Sequence, residues 1–140
     1  MRVSLTLCAC AFLSLAAGRA DRYARLLPAI EQVESGGKPD AVGDGGKAVG
    51  ILQIHPILVR DVNRIAKEKR LGVKFTYADR LAPDKSRQMF RIYSDHYAKV
   101  RDDYTEEGAA RRWNGGTDGH TQEETLGYWE EVKAAMGGGK

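Results

Sequence analysis

The chain is 140 residues long, about one domain's worth. With 42% hydrophobic and 29% charged residues it has the balance of a globular protein with a core, which excludes wholesale disorder and fibrous repeats. Setting aside the first twenty residues, which hold Arg2 and Arg19 and no acid, leaves 20 basic against 19 acidic side chains with interleaved signs. A near-neutral body of this kind carries no basic stripe for a polyanion, so nucleic acid is not an expected partner.

Residues Met1 to Ala20 read as a secretory signal: a basic start at Arg2, an apolar run from Val3 to Ala17, then the small residues Gly18 and Ala20. The run is about fifteen residues, short of the roughly twenty that a spanning helix needs. An uncleaved membrane anchor is the alternative. Both cysteines, Cys8 and Cys10, lie inside this segment, so the mature chain is expected to have no disulfide, no thiolate nucleophile and no cysteine-ligated zinc. The expectation is an exported protein, periplasmic or extracellular, with no stable membrane span once the signal is removed. A monomer of roughly 120 residues is expected, large enough to bury one core without covalent help.

Tyr23 to Glu34 reads as a first helix, with Tyr23, Leu26, Leu27, Ile30 and Val33 at helical spacing, stopped at Ser35-Gly36-Gly37. Lys38 to Gly50 is loop-like and rich in glycine, and Ile51 to Ile54 is a short apolar turn. A second helix is expected from about Pro56 to Arg70 on Leu58, Val62 and Ile65. After a linker with Phe75 and Tyr77, Pro83 opens a third, whose Met89, Ile92 or Tyr93, His96 and Val100 face the core. Thr105 caps a fourth helix that closes at Asn114-Gly115-Gly116, and Thr121 with Glu124 forms a T-x-x-E box for a last helix through Met136. The fold class is therefore all-α: a mainly helical single domain, with room for a small β element in the glycine-rich loop.

Chemistry concentrates at the end of the first helix. At 100° per residue Glu34 shares a face with Tyr23, Leu27 and Ile30, while Glu31 falls at the edge of that face. Partial burial and the unpaired carbonyls of the last turn both disfavour a carboxylate there, so a raised pKa and a group suited to general-acid catalysis are expected. The plainer alternative is a boundary acid that bends to solvent or meets an arginine. Asp40 and Asp44, in the loop just after Glu34, are turn-formers or a second carboxylate able to position water. His55, His96 and His120 are far apart and form no ligand pair, so no metal and no other cofactor is expected; His96 reads as a core residue. No G-x-S-x-G elbow is present, and G-D-G-G-K-A has neither the preceding strand nor the spacing of a phosphate loop.

The segments IEQVESGGKPDAVGDGGKAVGILQIHP, ARRWNGG and TLGYWEEV together resemble the lysozyme-like lytic transglycosylases of the soluble lytic transglycosylase (SLT) domain family, with goose-type lysozymes as more distant relatives. Glu34-Ser35, Gly50-Ile51-Leu52-Gln53-Ile54, Trp113-Asn114-Gly115-Gly116 and Tyr128 match that family's motifs in order. Leu52 stands where methionine is common, and Trp113 where tyrosine is. The resemblance implies a lysozyme-like transglycosylase domain over residues 21–140, acting on peptidoglycan glycan strands. It implies cleavage of the β-1,4 bond between N-acetylmuramic acid and N-acetylglucosamine, with Glu34 as acid and then base and 1,6-anhydro ends as product. A hydrolytic goose-type outcome, or a non-catalytic glycan-binding or inhibitory relative, stays open. Ser35, Gln53, Asn114 and Tyr128 are the implied substrate-binding residues. Three of them have a second reading: an amide tying the loop for Gln53, a helix closure for Asn114, core packing for Tyr128. Trp129 reads as core and Trp113 is open to either role.

Overall fold

The structure, a computed structural model, describes residues 20–137, so nearly all of the expected signal segment, including Cys8 and Cys10, lies outside the described residues. Among the described residues five α-helices and one two-stranded hairpin make up a mainly helical single domain. Among the described residues no helix is long and apolar enough to cross a membrane.

Helix α1 spans Leu26–Ser35 and is entered through a turn in which Tyr23 is already buried. It ends because Gly36 takes a left-handed conformation, φ 63°, and its N–H reaches the Gln32 carbonyl at 2.9 Å. The glycine-rich segment then folds into the expected β element: β1 (Val42–Gly43) pairs antiparallel with β2 (Ala48–Val49). The apolar turn follows directly, tied to β2 by the Val49–Ile54 bridge. Gly50 sits inside it at φ 86°, and a Cβ there would run into the Arg80 carbonyl oxygen. Only glycine allows that approach.

Helix α2 (Pro56–Glu68) opens on proline and buries Val59, Val62, Ile65 and Ala66. Leu58, expected in the core, is only partly buried and faces a cavity, because Val59 takes the inward position one residue on. The linker is pinned by Asn63, whose side chain donates to the Phe75 carbonyl at 2.8 Å and accepts from the Phe75 N–H at 2.7 Å. Helix α3 (Pro83–Arg101) keeps Met89 and Tyr93 of the expected core face and corrects the rest. Its buried residues follow the i+4 rows Ser86, Phe90, Ser94, Ala98 and Met89, Tyr93, whereas the expected stripe advanced seven residues per two turns. Val100 is therefore 56% exposed, and His96 is half-buried, edge-on to Tyr97, instead of a core residue.

Helix α4 (Glu106–Gly115) is capped as expected, Thr105 Oγ1 accepting from the Gly108 N–H at 2.9 Å. The expected T-x-x-E box does not cap α5 (Leu126–Gly137). Residues 119–125 form two short 3-10 turns instead, and Thr121 Oγ1 donates backwards to the Asp118 carbonyl at 2.8 Å. Buried Thr125 holds this entry, donating to the Gly119 carbonyl at 2.6 Å and accepting from Arg111 Nε at 2.9 Å. The core runs from Leu26 and Ile30 of α1 through Leu52, Val62, Met89 and Phe90 to Ala110 and Val132; α5 packs on both α1 and α4, and the end of α1 is tied to the apolar turn through Ser35 and Ile51.

Candidate functional site

A cavity of about 920 Å³ opens beside the end of α1. Glu34, Gln53 and Asn114 all line it, so residues far apart in sequence and drawn from α1, the apolar turn and α4 meet on one surface. Glu34 is half-buried. Its Oε1 accepts a hydrogen bond from Tyr128 Oη at 2.8 Å, across from α5. Burial pushes the Glu34 carboxyl above its ordinary range, and the Tyr128 hydroxyl, which favours the charged form, holds part of that rise back. The same burial, with the neighbouring carboxylate, pushes the Tyr128 phenol far up, so it remains a hydrogen-bond donor.

Glu31 carries a correction. Placed at the edge of the helix face by its spacing, it is only 8% exposed, because Arg87 of α3 reaches it with Nε at 2.6 Å from Oε1 and Nη2 at 3.1 Å from Oε2. A two-pronged pair of this kind satisfies a buried carboxylate and locks α1 to α3. The two acids of α1 thus differ in kind. Glu31 has an arginine; Glu34 has a neutral phenol and faces the cavity.

Ser35 is not brought to the cavity wall. Its Oγ donates to the Ile51 carbonyl at 2.8 Å, with the Glu31 carbonyl 3.1 Å away, so it ties the end of α1 to the apolar turn and fixes where Glu34 emerges. Gln53 does two things. Its Nε2 donates to the Ala41 and Gly50 carbonyls at 3.1 and 2.9 Å, bracing the loop, with Oε1 packed against Gly43, and the residue also lines the cavity. The residue itself sits at φ 48°, a left-handed backbone that the bracing sustains. Asn114 is exposed on the last turn of α4, at the cavity rim. Of the two loop acids Asp44 reaches the cavity, its Oδ2 3.4 Å from His55 Nε2; Asp40 does not line it.

Trp113 lines the cavity and packs on Phe90 and Tyr93, ring centroids 4.9 and 5.9 Å away, while Trp129 is partly buried against the core and takes no part in the lining. Several further residues line the cavity without a sequence signal that marks them for it. Tyr93 and Tyr97 extend the aromatic wall from Trp113, their centroids 4.8 Å apart. Ile57, Arg60, Asp61 and Arg64 form the α2 side of the cavity. Their i, i+3, i+4, i+7 spacing was visible, but a polar stripe on an amphipathic helix reads first as a solvated face. Arg80 was also missed: its Nη1 donates to the Lys47 and Ile54 carbonyls at 3.0 Å each, bracketing β2 and the apolar turn. A cleft with an aromatic wall, amide groups and a half-buried carboxyl of raised pKa has the chemistry to bind a glycan and deliver a proton to it.

The family model described as the transglycosylase SLT domain matches residues 14–125. That span takes in Glu34, Ser35, Gln53 and Asn114 and stops short of Tyr128. No curated protein and no solved structure matches the chain.

Proposed function

We propose, from the premise that this chain belongs to the transglycosylase SLT domain family, that it is an exported enzyme cleaving the β-1,4 bond between N-acetylmuramic acid and N-acetylglucosamine in peptidoglycan. The observation that carries the reading is the Glu34 carboxyl: half-buried at a cavity, without a cationic partner among the described residues, and held by one phenolic hydrogen bond at 2.8 Å. A carboxyl in that setting keeps its proton closer to neutral pH than an exposed glutamate does.

The chemistry follows from that state. Glu34 gives its proton to the glycosidic oxygen as the C1–O bond breaks, and the N-acetylglucosamine leaves as an alcohol. The positive charge at C1 is met by the substrate's own N-acetyl oxygen, so a second enzymic carboxylate is not required. Glu34, now a carboxylate steadied by the Tyr128 hydroxyl, takes the proton from the muramic acid 6-hydroxyl as that oxygen bonds to C1. The product is a 1,6-anhydro end, and Glu34 is returned protonated. Asn114 offers an amide donor and acceptor to the N-acetyl and hydroxyl groups, Gln53, whose N–H groups are held by the Ala41 and Gly50 carbonyls, offers its amide oxygen, and Trp113 offers a ring face. Ser35 acts as a positioning residue for Glu34.

A second reading, hydrolysis with ordinary reducing ends, draws on Asp44, whose carboxylate borders the same cavity beside His55. Under it Asp44 orients the attacking water and Asp44→Asn removes activity, whereas under the first reading Asp44→Asn changes the rate only a few-fold. The test of the enzyme itself is solubilisation of purified peptidoglycan by the chain and by Glu34→Gln. Loss of rate by several orders with glycan binding retained is expected. Activity within a few-fold of the parent means that Glu34 is not the acid.

A further inference from the structure

The cavity extends well beyond Glu34. Ile57, Arg60, Asp61 and Arg64 line it from one face of α2, a wall about 10 Å long from first to last. The outer part of that wall is charged, and its charges are unequally committed. Asp61 is used on both oxygens: Oδ1 accepts from Arg64 Nε at 3.0 Å and Nη2 at 2.6 Å, and Oδ2 accepts from Tyr97 Oη at 2.8 Å. Arg64 turns its remaining Nη1 to Glu68, at 2.8 and 2.9 Å from the two carboxylate oxygens.

Arg60 stands apart. It is exposed on the wall, and among the described residues its guanidinium has neither an ion pair nor a hydrogen bond. Asp61 cannot serve it, since neighbours on a helix point about 100° apart and both Asp61 oxygens are held by other groups. A guanidinium has five donors and no acceptor, in a fork that fits a carboxylate. Beside it the Asp61–Arg64–Tyr97 network is closed on itself, so the wall offers one cation to whatever lies in the cavity.

We propose that Arg60 takes a carboxylate carried by the glycan strand outside its sugar rings, which makes the α2 wall the part of the groove that separates muramic-acid strands from an uncharged sugar polymer. The inference rests on the peptidoglycan reading above. Two groups on such a strand have this chemistry: the lactyl carboxylate of a muramic acid without peptide, and the carboxylates of an attached peptide.

The test is calorimetric titration of the chain carrying Glu34→Gln, which holds glycan without cutting it, and of the same chain with Arg60→Glu added. Three ligands are used: peptide-bearing strands, strands stripped by an amidase, and an N-acetylglucosamine oligomer of equal length. Arg60→Glu is expected to weaken carboxylate-bearing strands roughly five- to tenfold and to leave the plain oligomer within about twofold. Loss confined to stripped strands assigns the lactyl carboxylate, and loss confined to peptide-bearing strands assigns the peptide. Equal weakening of all three, no weakening, or no binding of any strand overturns the proposal. Lys67→Glu, the same charge change on α2 outside the cavity lining, is expected to show no such selectivity. Failure of the underlying reading shows separately, as an unmodified chain that does not cut peptidoglycan at all.

Discussion

Replacing Tyr128 with phenylalanine removes one hydroxyl and keeps the ring. That hydroxyl donates to Glu34 Oε1 at 2.8 Å and is half-buried, so water replaces it only imperfectly. A hydrogen bond to a charged group contributes about 1.5–3 kcal/mol; with one such bond at a partly open site the low end applies, about 1.5 kcal/mol. The bond favours the carboxylate, the form Glu34 holds after it has given up its proton. Its loss therefore costs about tenfold in kcat/KM at the optimum pH, at 1.36 kcal/mol per factor of ten. The same loss raises the Glu34 pKa, because the group that had been lowering it is gone. A general acid works while protonated, so the alkaline limb of the kcat/KM profile should move to higher pH in Tyr128→Phe. The assay is peptidoglycan solubilisation against pH for both proteins, with the Glu34 resonance followed by NMR titration. An alkaline limb that stays in place or moves to lower pH refutes the reasoning, even if the rate falls.

The remaining predictions concern the frame around Glu34. Arg87→Met strands Glu31 at 8% exposure and should cost about 2–3 kcal/mol in urea unfolding, less than for a fully buried pair because Arg87 remains one-third exposed; adding Glu31→Met should recover most of it. A cost under about 0.5 kcal/mol would show that the pair does not hold α1 to α3. Gly50→Ala puts a Cβ into the Arg80 carbonyl at a left-handed position, so the apolar turn must shift by an ångström or so; activity should fall about 100-fold while circular dichroism stays helical. Glu34→Gln should raise Tm at about pH 8 and leave it little changed in acid. The sign follows from burial: the folded state holds the Glu34 proton more tightly than the unfolded chain, so this contribution is full below the ordinary value of 4.5 and is lost as pH rises through the folded-state value. An equal Tm shift at both pH values contradicts it.

The helices were legible where local signals agreed. Pro56, Pro83, Thr105 and the glycines after Ser35 and Asn114 mark boundaries that the structure keeps within a few residues. The misses have a common cause, which is that spacing gives a face but not its partner. Glu31 read as an edge acid because Arg87, fifty-six residues on, was invisible to the spacing of α1. The α3 stripe was misphased because ridge packing along i+4 rows depends on the neighbouring helices. Thr121-Glu124 has the composition of a capping box, yet Arg111 draws Thr125 into the core and the chain reaches α5 through 3-10 turns. At the site, Glu34 was legible because an acid on an apolar face is anomalous by itself. The α2 wall was not, since arginine and aspartate at helical spacing are ordinary on a surface until the cavity is seen beside them.

The most direct test of the central claim is mass spectrometry of the sugars that the chain releases from purified peptidoglycan, run beside Glu34→Gln. Cleavage by Glu34 with attack of the 6-hydroxyl predicts muropeptides with 1,6-anhydro-muramic ends, each lighter by one water than the hydrolytic product, and their disappearance in the variant. Anhydro products that persist undiminished in Glu34→Gln, or peptidoglycan left intact by the unmodified chain, would contradict it.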